Sequence, residues 1–313
     1  MAGHRADAGT PPRAAARPTV PLSAGDGRIV RIRSHDGLVL AVRIFDAVSD
    51  RLPLLCLPGL SRNSRDFIAL GNFFATHAGE PRKVIALDYR GRGLSESDPD
   101  WRHYKPMVEA QDVLSVAAAL GVEKAILIGT SRGGIITMLL GVLRPTLIAG
   151  AVLNDIGPVL EGRGLARIKT YLSTRKSVGS WDEAIALVRS TSEPQFPGLS
   201  EADWRALATA YFADSGAGLT PQYDPNLSRT VVDMDVTERI PVLWPQFMSL
   251  VDVPMLAIRG ENSDLVSLRT LSEMSERHGR MQQHTVPGQG HAPLLRDQAT
   301  LERIRAFAEG CDV

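Results

Sequence analysis

Three kinds of side chain in this sequence point to acid–base and nucleophilic chemistry: one serine, one histidine and one of two aspartates. The serine lies in Gly129-Thr130-Ser131-Arg132-Gly133, between an apolar run at residues 125–128 and an apolar stretch that continues to Gly141. That pattern predicts a buried strand, a sharp turn presenting the Ser131 hydroxyl, and a helix beginning near Gly133. A residue forced toward positive φ crowds its neighbours two positions away, which explains glycine on both sides. The first turn of the helix aims free N–H groups at whatever the serine attacks, an arrangement suited to an oxyanion.

A serine hydroxyl is a weak nucleophile at neutral pH. It needs an imidazole to take its proton, and the imidazole needs a carboxylate to fix its tautomer and stabilise the cation. His291, in Gly288-Gln289-Gly290-His291-Ala292-Pro293, is the candidate base, and Asp264, in Gly260-Glu261-Asn262-Ser263-Asp264, is the preferred carboxylate. Both loops follow strand candidates. Parallel α/β sheets gather the carboxyl ends of their strands on one edge, so Ser131, Asp264 and His291 can converge there. Asp155 also follows a strand candidate, at residues 148–153, and is the alternative acid; the Gly157-Pro158 that comes next favours a structural role for it at the start of an insertion. The remaining histidines show no paired metal-ligand spacing, so neither a metal nor a cofactor is expected.

The elements that position these residues follow from periodicity. Strand candidates at 28–33 and 38–45 flank Asp36-Gly37, a hairpin signal. Runs at 52–57 and 83–87, apolar on both faces, read as buried parallel strands, and a helix with Ala110, Val113, Leu114, Ala117 and Leu120 on one face stops at Gly121. Strand–helix alternation continues to residue 153, lapses, and resumes with strands at 253–259 and 281–286, a helix from Ser267, and a last helix carrying Leu301, Ile304 and Phe307. The expected fold is α/β, a mostly parallel sheet flanked by helices. Between the two parts lie helical segments near 165–172, 181–189 and 202–212, the last two opened by Ser180-x-x-Glu183 and Ser200-x-x-Asp203. This gives a core of residues 28–158 and 251–313, a helical cap at 159–250, and a disordered leader at 1–27.

Composition sets further bounds. At 313 residues and 44% hydrophobic content, the chain can bury a large core. Lysine and arginine together number 35, as do aspartate and glutamate, and this balance gives no sign of a nucleic-acid or anionic-membrane partner. No apolar run reaches the length of a membrane span, and two cysteines, Cys56 and Cys311, fit a reducing compartment rather than a disulfide framework, so a cytoplasmic protein with a small-molecule substrate is expected. Its oligomeric state is not legible.

These motifs together resemble the α/β-hydrolase superfamily from about residue 28 to the end, in the capped branches of esterases, lactonases and C–C hydrolases. The resemblance rests on Pro58-Gly59-Leu60, Asp88-x-Arg90-Gly91-x-Gly93-x-Ser95, the turn at Ser131, and Gly290-His291. It implies Ser131 as nucleophile, His291 as base, Asp264 as orienting acid, and the Leu60 and Arg132 backbone N–H groups as oxyanion donors. Pro58 replaces a common histidine, which puts the support of that loop in question. The implied activity is hydrolysis of an ester or lactone of a small, partly apolar molecule through an acyl-enzyme. C–C hydrolysis of a β-diketone-type compound, or ligand binding without catalysis, are the alternatives. Arg132 also departs from the uncharged residue common after the nucleophile. It must pair with an acidic residue such as Asp88 or Glu261, or else reach the pocket and hold an anionic substrate.

Overall fold

The computed structural model describes residues 25–76, 81–174, 176–232 and 242–312, so nearly all of the expected leader lies outside the described residues. The chain opens with β1 (Arg28–Arg33), β2 (Val39–Phe45) and β3 (Leu54–Leu57), followed by a 3-10 turn (Ser64–Phe67) that runs into α1 (Ile68–Thr76). Then come β4 (Val84–Asp88), α2 (Pro106–Ala119), β5 (Ala125–Thr130), α3 (Arg132–Leu143) and β6 (Ile148–Asn154). A mainly helical stretch carries α4 (Gly162–Ser173), α5 (Trp181–Ser192), α6 (Glu201–Tyr211), the short hairpin β7 (Phe212–Asp214) and β8 (Leu219–Pro221), α7 (Arg229–Val232) and α8 (Trp244–Met248). The chain closes with β9 (Met255–Gly260), α9 (Leu268–His278), β10 (Met281–Val286) and α10 (Gln298–Glu309).

Eight strands form one sheet in the order β1-β2-β4-β3-β5-β6-β9-β10, in which only β2 runs against its neighbours. Along the central strands, alternate residues divide between two apolar layers. Leu55, Leu57, Ile85, Leu127 and Leu153 pack with Val113, Ile136 and Met274 of α2, α3 and α9. Leu54, Cys56, Val84, Ile126, Ile128 and Val152 pack with Leu70, Phe74, Ile304 and Phe307 of α1 and α10. This period-2 division is what a strand buried on both faces requires. Truncating one such side chain costs about 2–5 kcal/mol, so the strand ends are held by a stiff platform.

Several boundaries differ from expectation for identifiable reasons. β3 starts at Leu54 because Pro53 has no N–H for the ladder; its carbonyl instead accepts from Ile126 N–H at 3.0 Å. The third inserted helix ends at Tyr211, and Phe212 opens β7, a strand of three residues that is too short to show a period. Ser200 and Asp203 cap each other reciprocally, whereas Glu183 reaches past Ser180 to the Gly179 N–H at 2.9 Å.

Candidate active site

Ser131 stands between β5 and α3 at φ 51° and ψ −111°, a conformation an L-residue holds only when its surroundings enforce it. The surroundings are crowded. A Cβ on residue 129 would lie 2.6 Å from the Gly133 backbone, and one on residue 133 would lie 2.0 Å from the Leu57 carbonyl oxygen, so both flanking positions require glycine. His291, in the loop after β10, places Nε2 at 2.9 Å from Ser131 Oγ and Nδ1 at 2.8 Å from Asp155 Oδ2. With Nδ1–H donating to the carboxylate, Nε2 is left to accept the serine proton. Asp155 is fully buried, and its other bonds come from Gly260 N–H at 3.0 Å and Ser263 Oγ–H at 2.7 Å.

The carboxylate on the imidazole is therefore Asp155, and the expectation of Asp264 there is corrected. β6 ends at Asn154 and lies between β5 and β9, so the residue that follows it is one strand spacing, about 4.8 Å, from the strand that leads into Ser131. Asp155 is that residue, at φ 52°. Asp264 lies four residues beyond the end of β9 and faces α4, where the Arg167 guanidinium holds it by two hydrogen bonds of 2.7 Å. Burial alone would raise the Asp264 carboxyl, but the Arg167 bonds and charge together hold it below its ordinary value.

Leu60 follows β3 and borders the same cavity as Ser131, while Arg132 opens α3, so its N–H belongs to the unsatisfied first turn of a helix. Without a histidine at position 58, the Leu60 loop is held by Arg92, whose Nε donates to the Leu60 carbonyl at 2.8 Å, and by a hydrogen bond between Ser61 and Tyr171 of α4. The Arg132 side chain turns the other way. Its Nε donates to Glu109 Oε2 at 2.7 Å and a terminal nitrogen donates to the Tyr104 carbonyl at 3.0 Å. α2 packs on α3 and delivers Glu109, so the partner is neither Asp88 nor Glu261. Burial opposes ionisation of Glu109, yet the Arg132 and Arg92 charges bring its carboxyl below the ordinary value. Asp88 braces the loop after β4, accepting from the Ser64 and Leu94 N–H groups at 2.6 and 2.9 Å. Arg90 forks onto Asp112 and also bonds Asp36 and Asp98.

Ser131 and His291 open into a cavity of about 520 Å³ walled by the 3-10 turn, α4, α5 and α6. Ile68, Ile168, Leu187, Val188, Phe196 and Leu207 make its lining mainly apolar. Of the inserted aromatics, Trp204 is buried away from the cavity, whereas Tyr211 and Phe212 border it. Among the described residues the one His–carboxylate group at ligand spacing is His35, Asp36 and Asp112, and Arg90 already bonds both carboxylates.

The family model of the alpha/beta hydrolases matches residues 54–303. The chain belongs to the alpha/beta hydrolase family. It is 31% identical over 264 residues to the 3-hydroxybutyrate-oligomer hydrolase of Cupriavidus necator, covering 82% of this chain and 88% of that one. It is 30% identical over 235 residues to the esterase YbfF of Escherichia coli, with 72% and 82% covered. A solved alpha/beta hydrolase from Novosphingobium aromaticivorans superposes with a TM-score of 0.83 at 34% identity, covering 91% of this chain and 98% of that one. The relatives are hydrolases and esterases, and this alpha/beta hydrolase is accordingly a hydrolase. No helix among its described residues is long and apolar enough to cross a membrane.

Two residues at the site of this hydrolase carry no motif. Arg92 occupies an unspecified position between Gly91 and Gly93, although an arginine among glycines beside a buried strand end is itself a signal for a buried partner. Gln195 lies in a polar loop between α5 and α6, where a single sequence has no period to read.

Proposed function

We propose that the protein is a serine esterase in which Ser131, His291 and Asp155 form the catalytic triad. The hydrogen-bonded chain from Asp155 through His291 to Ser131 at the base of an apolar cavity carries this reading. Ser131 Oγ attacks the ester carbonyl as His291 Nε2 takes its proton, while Asp155 stabilises the imidazolium. The oxyanion sits against the Leu60 and Arg132 N–H groups. Collapse of the tetrahedral intermediate expels the alcohol, which takes the proton from His291. A water molecule, deprotonated by the same nitrogen, then attacks the acyl-enzyme and releases the acid. Residues 159–250 act as a cap that excludes water and shapes the acyl site. The free, buried thiols of Cys56 and Cys311 support a cytoplasmic location.

One observation favours a narrower substrate class, an ester whose apolar acyl chain ends in a carboxylate. Of the cations on the cavity wall, Arg62, Arg167 and Arg296 pair with Asp66, Asp264 and Asp203. Arg65 and Lys176 line the same wall and have no ion-pair partner among the described residues, against the single further acid Asp26.

Hydrolysis of p-nitrophenyl esters of graded chain length by the parent protein and Ser131→Ala tests the esterase reading. Removing the nucleophile lowers kcat by about 10⁶-fold. Turnover by Ser131→Ala within tenfold of the parent would overturn it.

A further inference from the structure

The inserted helical stretch touches each of the three loops that carry the site. Tyr171 of α4 bonds Ser61 beside Leu60. Arg167 of α4 forks onto Asp264, next to the Ser263 whose hydroxyl donates to Asp155. Gln195, between α5 and α6, reaches the histidine itself: its Oε1 accepts the His291 backbone N–H at 2.9 Å. The approach is close. A Cβ on residue 290 would stand 2.0 Å from that same oxygen, so Gly290 is the residue that lets the amide in. Gln195 is itself tied back to the sheet edge, because Asn262 Nδ2 donates to its carbonyl at 3.3 Å and the Asn262 N–H donates to the Gln289 carbonyl at 2.9 Å.

We infer that Gln195 is a positioning residue for the general base, locking the backbone at His291 so that the ring spans Asp155 and Ser131. The inference rests on the esterase reading and extends it to a residue outside the triad. Both ring nitrogens of His291 are engaged, so its backbone N–H is the donor through which this residue itself, rather than its flanks, is anchored. A loop that follows an edge strand, β10, has sheet on one side only. The amide of Gln195 supplies the other side. An imidazole displaced by about 1 Å loses on the order of 10²-fold in rate, while the cavity that binds the acyl chain is unaffected.

The test compares Gln195→Met, which keeps the length and removes the acceptor, with Gln195→Glu, which keeps an acceptor at the same reach. Ester turnover, thermal midpoint and the rate of Ser131 labelling by a fluorophosphonate are measured on the full chain. Gln195→Met is expected to lose about ten- to hundredfold in kcat and in labelling rate with KM within twofold, and Gln195→Glu to recover most of both. A kcat for Gln195→Met within twofold of the parent, or a loss that appears in KM and is not restored by Gln195→Glu, would overturn the inference. A parent protein that neither turns over esters nor labels at Ser131 would instead bring down the esterase reading on which it rests.

Discussion

The loop after β6 and the loop after β9 each bring one aspartate to the carboxyl edge of the sheet, and the two carboxylates are satisfied in different ways. Asp155 is wrapped by core elements: a backbone N–H from the end of β9, a hydroxyl from Ser263, and an imidazole. These fix its plane and direct one oxygen at His291. Asp264 is held by an element of the inserted stretch, in a guanidinium fork that consumes both its oxygens. Residue type and position after a strand are shared. The difference lies in which strand is ended, because β6 adjoins the serine strand and β9 is one strand farther away. A carboxylate can serve an imidazole only if its own fixing leaves a direction free, and the Asp264 fork leaves none.

The largest effect expected from this contrast is on turnover. Asp155→Asn places an amide beside Nδ1 and favours the wrong tautomer, so kcat falls by about 10⁴-fold, a magnitude taken from the same change in a serine protease. Asp264→Asn stays within about threefold, since it alters only the contact with Arg167. Steady-state ester kinetics on both variants checks the pair; a larger loss in Asp264→Asn would reverse the assignment.

A second contrast sets Arg132 against the cations on the cavity wall. Arg132→Met leaves the buried Glu109 with Arg92 as its remaining ionic partner, at 2.8 Å, and loss of one charged hydrogen bond costs about 1.5–3 kcal/mol. Denaturant unfolding measures it. Neutral and carboxylate-bearing esters should lose activity equally in this variant, because its side chain faces α2. Arg65→Met and Lys176→Met, by contrast, should lower kcat/KM for p-nitrophenyl hemiglutarate by about tenfold, or ~1.4 kcal/mol, and leave the matched neutral ester unchanged. Equal losses on the two esters would dispose of the anionic substrate.

The smallest effect concerns acid. Because the folded-state carboxyl of Asp264 is held below its ordinary value of 3.8, its charge stabilises the fold fully above that value, and the contribution is lost as pH falls below it. The parent should therefore lead Asp264→Asn in thermal midpoint near neutrality, with the gap closing under acid. A gap that widens as pH falls would contradict the ion pair with Arg167.

Much of this was legible in the residues. Two runs about Asp36-Gly37 and short runs apolar on both faces marked the strands, and the glycines at 129 and 133 announced the turn at Ser131, since no other residue fits there. His291 followed from its place after the last strand. The choice of acid was not legible, because it depends on sheet order, and a crossover from β6 to β9 across some hundred residues leaves no mark on either strand. Glu109 as the partner of Arg132 was hidden for a similar reason, on the buried face of α2, where a carboxylate interrupts an otherwise ordinary helix. The β7–β8 hairpin was too short to show alternation.

The most direct test of the central claim is to map where an activated serine resides. Intact protein treated with a fluorophosphonate and digested for mass spectrometry should carry its adduct on the peptide containing Ser131. Labelling should persist at close to the parent rate in Asp264→Asn and be nearly lost in Asp155→Asn. An adduct on another serine, or labelling that survives in Asp155→Asn and vanishes in Asp264→Asn, would contradict the account.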